Sequence, residues 1–197
     1  MSHSHTKLFN LIAPIYGLFY NFQVKYYRKI LLRVKDEIHI IDYKTVLDIG
    51  CGTGALSYVL YTNGLQVTGV DVAEKMIEES RKNLRDTSAK VFKVDPNEDL
   101  PFEDNSFDLV ISSYVAHGLK PERRIELYKE ASRVAKKIVV IHDYNRNRAL
   151  LTTIIEWLER GDYFNFIKMA ETEMKEEFKT VKVVNVDTRA AWYILEP

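Results

Sequence analysis

Cysteine is almost missing from this chain of 197 residues: Cys51 stands alone, so no intrachain disulfide can form and a reducing compartment fits. A charge excess of either sign is missing too, since Lys plus Arg and Asp plus Glu both number 28. Proteins that live on nucleic-acid backbones carry a basic surplus, so nucleic acid is disfavoured as a partner. No apolar run approaches the roughly 18 residues that a membrane span needs. The opening MSHSHTK lacks the charged and apolar regions of a signal peptide, and the expectation is a cytoplasmic protein. Neither an internal repeat nor a low-complexity linker is found. His3 and His5 alternate and could hold a metal loosely, but a disordered terminus is the plainer reading, and no metal is expected.

What is present is ordinary for a globular protein, with 46% hydrophobic and 28% charged residues. The length suits a single domain, 1–197, with a sizeable core. Its first part, 1–43, reads as a helical cap. Phe9, Ile12, Tyr16, Phe19, Tyr20, Tyr26, Tyr27 and Leu31 recur near helical spacing, with Pro14 as a break. From residue 44 to 143 strand-like runs (Thr45 to Ile49, Gln66 to Val70, Lys90 to Val94, Phe107 to Ser112, Lys137 to His142) alternate with helical patterns. One helix is predicted from Ala55 to Thr62, stopped by Asn63-Gly64. A second carries Ile77, Arg81 and Leu84, and a third opens at Pro121. In the last part, 144–197, a helical stretch (Asn147 to Phe178) precedes two strands, Val181 to Val186 and Ala191 to Leu195. The gap between them is too short for a crossover helix, so they should be antiparallel. The expected fold is α/β: a doubly wound, mostly parallel seven-stranded sheet with a C-terminal antiparallel hairpin and an N-terminal helical appendage.

The densest signal is VLDIGCGTG, Val46 to Gly54: a buried strand ending in Asp48, then three alternating glycines and a helix. Glycines there permit a tight turn and let a ligand approach main-chain N–H groups at the helix start. The same residues satisfy the dinucleotide pattern, with Asp71 about twenty residues on, where a ribose-binding acid belongs. An NAD-dependent oxidoreductase therefore competes at this point. Asp48 argues against it, because a carboxylate suits a ligand with an ammonium group and would repel a pyrophosphate. A third acidic turn, Asp95-Pro96-Asn97, follows the third strand, where an adenine edge could be read, and the terminal hairpin departs from dinucleotide-binding order.

VLDIGCGTG, together with VTGVDVAEKMIEESRKN (Val67 to Asn83) and DLPFEDNSFDLVISS (Asp99 to Ser113), resembles class I S-adenosylmethionine-dependent methyltransferases with a Rossmann-like fold. It is most similar to the subgroup acting in ubiquinone and menaquinone synthesis, and FNLIAPIYGLFYNF resembles that subgroup more loosely. The resemblance implies S-adenosyl-L-methionine as cofactor and methyl transfer to a small-molecule oxygen, carbon or nitrogen acceptor; a non-catalytic cofactor-binding protein is a third reading. It implies that Gly50, Cys51, Gly52 and Gly54 line the cofactor, Cys51 through its backbone. Asp48 would orient the amino group, Asp71 the ribose hydroxyls, Val72 the adenine and Asp95 its exocyclic amine, with Met76 and Ser112 also at the cofactor. The chain departs from the family at Pro96, which has no N–H to offer the adenine, so either Asn97 supplies that contact or the loop is shifted.

Methyl transfer by in-line displacement draws much of its rate from alignment, and a base matters only where the acceptor must lose a proton. His117, after the fourth strand, is the candidate for that role; a loop-packing histidine is the alternative. Tyr16 and Tyr20 could cover a sulfonium with an aromatic face, though aromatics at helical spacing are commonly core. His142 and Tyr144, flanking Asp143 at the end of the fifth strand, are well placed for substrate contact. The basic stretch Lys25 to Lys35 is interleaved with apolar residues and reads as a solvated helix face.

Overall fold

The computed structural model describes residues 17–146 and 162–197. Tyr16, Pro14, His3 and His5, and the predicted helical positions at 151–158, lie outside them. The chain divides into two compact units, 1–101 and 102–197.

In the first unit, helix α1 (Tyr20–Val34) turns Val24, Ile30 and Val34 inward. Strand β1 (Thr45–Ile49) is buried from its second residue on. Helix α2 (Ala55–Thr62) starts straight after Gly54, and Asn63 closes it by donating its side-chain amide to Val59 O at 2.8 Å. β1 and α2 have the predicted boundaries, and α2 is bracketed by strong local signals, glycine before and Asn-Gly after. Strand β2 (Gln66–Asp71) pairs in parallel with β1 and with β3 (Lys90–Lys93), and helix α3 (Glu74–Asn83) connects β2 to β3. Strand β3 is one residue shorter than predicted and largely exposed.

In the second unit, β4 (Phe107–Ser113) is followed by a 3-10 turn (Ala116–Gly118) and helix α4 (Pro121–Val134), with proline in its first turn. Strand β5 runs from Ala135 to Tyr144, longer at both ends than predicted, because it begins directly where α4 stops, with no loop between. Helix α5 (Tyr163–Glu177), β6 (Thr180–Asn185) and β7 (Ala190–Glu196) complete the chain. β4 and β5 are parallel; β7 lies antiparallel to both β5 and β6. The sheet has seven strands in the order β3-β2-β1-β4-β5-β7-β6, mostly parallel with the expected terminal hairpin.

Arg124 clamps α4 to α5. Its guanidinium is fully buried and donates to both Glu173 oxygens (2.8 and 2.7 Å), to Asp162 Oδ2 (2.8 Å) and to Leu119 O (2.6 Å). The planar fork meets a carboxylate in the bidentate geometry that suits arginine.

Candidate functional site

The glycine loop after β1 is internally bonded. Gly50 N–H and Cys51 N–H both donate to Val70 O, at 2.8 and 3.0 Å, and Gly54 N–H donates to Cys51 O at 2.9 Å. Gly52 N–H donates to Asp71 Oδ2 at 3.0 Å. The expectation that main-chain N–H groups of this loop face a ligand therefore changes: these four donors are used to hold the loop's shape. What the loop offers instead is space. Gly52, with φ +53°, has no atom within 4 Å of where a Cβ would stand. Gly54, with φ +81°, packs so tightly that a Cβ would meet Ser80 Oγ at 2.7 Å and Leu84 Cδ1 at 3.0 Å. Gln23 on α1 and Asn83 on α3 anchor the loop through Thr53, its hydroxyl donating to Gln23 Oε1 and its carbonyl accepting from Asn83 Nδ2, both at 2.9 Å. The Cys51 side chain is buried, and burial pushes its thiol pKa well up, so the sulfur is unreactive.

Two carboxylates flank this space. Asp48 is buried, and burial raises its pKa to about 7 despite a 2.6 Å hydrogen bond from the Ser57 hydroxyl. Asp71, at the end of β2, accepts from Gly52 N–H and, at 2.9 Å, from Ala73 N–H; burial raises its pKa as well. Among the described residues no basic side chain pairs with either. Uncompensated carboxylates beside an open glycine are a site for a cationic ligand carrying hydrogen-bond donors. The residues present thus fit S-adenosylmethionine, which has an ammonium, a sulfonium and ribose hydroxyls. Ser57 was not singled out from sequence, although a serine one turn into a helix that follows an acid-ended strand is a readable signal.

Other expected cofactor residues are placed as follows. Val72 is half-buried, and Met76 is buried against Ala73 at the start of α3. Asp95 Oδ1 accepts from both Asn97 N–H (2.9 Å) and Asn97 Nδ2 (3.0 Å), closing a turn over Pro96. The Asn97 N–H is thereby directed into its own turn rather than outward. Ser112 is buried on β4. Tyr20 belongs to the packing of α1 on α2: its ring meets Tyr58 edge-on at 6.4 Å, and burial raises its pKa to about 12.

In the second unit the structure brings His117 together with Asp143 and Tyr144, a pairing the sequence did not indicate, and Tyr114 joins them. Asp143 is fully buried, with Oδ1 2.8 Å from His117 Nδ1 and Oδ2 accepting from His117 N–H at 3.2 Å. The ring of His117 lies 4.8 Å from Tyr144 and 6.3 Å from Tyr114. Tyr114 holds φ 55°, an uncommon conformation for a bulky residue that belongs to functional loops more often than to plain turns. Its N–H donates to His142 O at 2.8 Å, which fixes the turn. His142 departs from the expectation of substrate contact. It is fully buried, with Nδ1 3.1 Å from Ser113 Oγ and its ring against Tyr114 and Trp192; burial lowers its pKa to about 4. Successive strand residues face opposite ways, so His142 and Asp143 cannot act as a pair. Among the described residues no group of three or more His, Cys, Asp or Glu is arranged to hold a metal.

The sequence profile of a family described as "Methyltransferase domain" matches residues 46–137. An uncharacterized methyltransferase of Geobacillus sp. (strain WCH70) is 30% identical, the alignment covering 80% of this chain and 75% of that protein. A demethylmenaquinone methyltransferase of Thermotoga maritima is 33% identical over 53% of this chain; the match spans only 44% of that protein. Among solved structures, a putative S-adenosyl-L-methionine-dependent methyltransferase from Methanococcus maripaludis superposes with a TM-score of 0.72 at 18% identity, covering 95% of this chain and 92% of that one.

Proposed function

Because the chain belongs to the class I S-adenosylmethionine-dependent methyltransferases, we propose that Asp48, Asp71 and the open glycine loop hold the cofactor while His117, oriented by Asp143, serves a small-molecule acceptor. The observation that carries the cofactor half is the pair of carboxylates without a basic partner, one of them with its pKa lifted to about 7. A positive ligand relieves that cost, and a pyrophosphate would worsen it. When bound, S-adenosylmethionine supplies an electrophilic methyl group on sulfur. Asp71 takes the ribose hydroxyls on carboxylate oxygens already aimed by the Gly52 and Ala73 N–H groups. Asp48, steadied by Ser57, faces the ammonium.

At the acceptor, Asp143 accepts a hydrogen bond from the Nδ1–H of His117, so Nε2 carries the lone pair. His117 then draws a proton from an acceptor that must lose one, and Tyr114 and Tyr144 present aromatic faces beside it. The acceptor is a small molecule bearing an ionisable O–H, N–H or activated C–H. The family profile over residues 46–137 supports reading the chain, 1–197, as one catalytic domain. The lone buried Cys51 supports a reducing, cytoplasmic setting.

Titration calorimetry with S-adenosylhomocysteine tests the reading. Binding to the native chain, weakened in Asp71→Ala, supports it; tight NAD binding with no response to S-adenosylhomocysteine overturns it.

A further inference from the structure

Helix α1, with the sequence YNFQVKYYRKILLRV, holds Lys25, Arg28, Lys29 and Arg33 and no acidic residue, in a chain whose formal net charge is zero. Its inner face is accounted for: Val24, with Tyr20, Tyr27 and Leu31, packs on Ala55 and Val59 of α2. The outer face is unusual. At 3.6 residues per turn, Phe22, Lys25, Lys29, Leu32 and Arg33 fall within about 100° of arc. All five are exposed, Phe22 and Leu32 to 70% each. A helix face turned to water ordinarily carries charged residues of both signs and few large apolar ones. Here two large apolar side chains alternate with positive charge alone.

We propose that this outer face docks on an anionic lipid surface, with α1 lying in the plane of the membrane. Phe22 and Leu32 would enter the boundary between headgroups and acyl chains, and Lys25 and Lys29 would meet lipid phosphates. Apolar burial and attraction to anionic headgroups are the two terms that hold interfacial helices. At 15 residues α1 is too short to span a bilayer, so the helix lies on the membrane. Nucleic acid would use the basic residues but leave Phe22 and Leu32 without a role. The absence of acid from the helix also means that nothing on it repels an anionic leaflet.

The experiment is flotation of the full chain with phosphatidylcholine vesicles, with and without phosphatidylglycerol, beside a single-stranded RNA titration. The expected result is binding that needs phosphatidylglycerol and weakens as salt is raised. Lys25→Gln with Lys29→Gln should lower the partition coefficient by about 30-fold, and Phe22→Gln by about tenfold. Melting temperature and S-adenosylhomocysteine affinity should stay unchanged in both variants, which separates a docking role from a folding one. Equal partition to neutral and anionic vesicles, RNA binding without vesicle binding, or full partition of the double-lysine variant would each overturn the proposal.

Discussion

His117 and Asp143 stand 26 residues apart in the chain, yet His117 Nδ1 lies 2.8 Å from Asp143 Oδ1, and Asp143 Oδ2 also accepts from the His117 main chain. One carboxylate thus fixes both the position and the tautomer of the imidazole. His117→Ala should lower turnover by about 10²-fold or more while leaving S-adenosylhomocysteine affinity within about twofold. Asp143→Asn should cost turnover too, because an amide can donate to Nδ1 and favour the wrong tautomer. Single-turnover rates beside calorimetric affinities check this, and native turnover in His117→Ala would return the residue to a packing role.

His142 and Asp143 are neighbours and suggest a joint role, but alternation along β5 sends them to opposite faces. Asp143 reaches a turn that no local pattern connects to it. The glycine loop, β1 and α2 were legible to the residue because their signals are local. Arg124 was not, since its partners Asp162 and Glu173 lie 38 and 49 residues away. Nor did the glycine pattern say that the loop spends its N–H groups on Val70 and Asp71; that depends on the parallel pairing of β1 with β2.

Asp48 and Asp71 should separate by pH. Asp71→Ala should weaken S-adenosylhomocysteine binding by about 1–3 kcal/mol through lost charge-assisted hydrogen bonds. Asp48 has its pKa raised by burial to about 7 from an ordinary 3.8, so without ligand it is half protonated near neutrality. A raised carboxyl pKa means the folded state holds the proton more tightly, and stability falls as pH rises through about 7. Binding of a cation should release that proton, so cofactor affinity should increase between pH 6 and pH 8. Asp48→Asn should remove that pH dependence and stabilise the ligand-free protein at pH 8 by on the order of 2 kcal/mol; calorimetry in buffers of different ionisation enthalpy reads the proton directly.

Gly52 and Gly54 should respond differently to the same methyl group. Both hold positive φ, so each alanine carries a strain of about 1–2 kcal/mol. Gly54→Ala also drives a Cβ against Ser80 and Leu84, and its melting temperature should fall well below that of Gly52→Ala. Gly52→Ala, with nothing near its Cβ, should keep most of its stability and lose cofactor affinity instead. Equal loss of both properties in the two variants would contradict the division of roles.

Arg124→Met should destabilise by about 3–5 kcal/mol in urea unfolding, because it leaves the carboxylates of Glu173 and Asp162 facing a site built for a guanidinium. Arg124→Lys should recover only part of that loss, since an ammonium cannot reproduce the bidentate contact to Glu173. Pairing Arg124→Met with Glu173→Leu should be less damaging than Arg124→Met alone, as the buried charge is removed along with its partner.

His142 gives stability a pH limit on the acid side. Burial depresses its pKa to about 4 from an ordinary 6.5, so the unfolded chain binds this proton more readily than the folded one. The stability it contributes is fully present above about pH 6.5 and is lost as pH falls through the folded value. Over that window the loss amounts to about 3 kcal/mol. His142→Gln carries no titrating group and can still bond to Ser113, so its urea midpoint should decline less between pH 7 and pH 4 than that of the native chain. The two curves should cross as pH falls, because glutamine packs less well against Trp192 at neutral pH but has no proton to exclude at low pH. Parallel curves would place the acid sensitivity elsewhere than at His142.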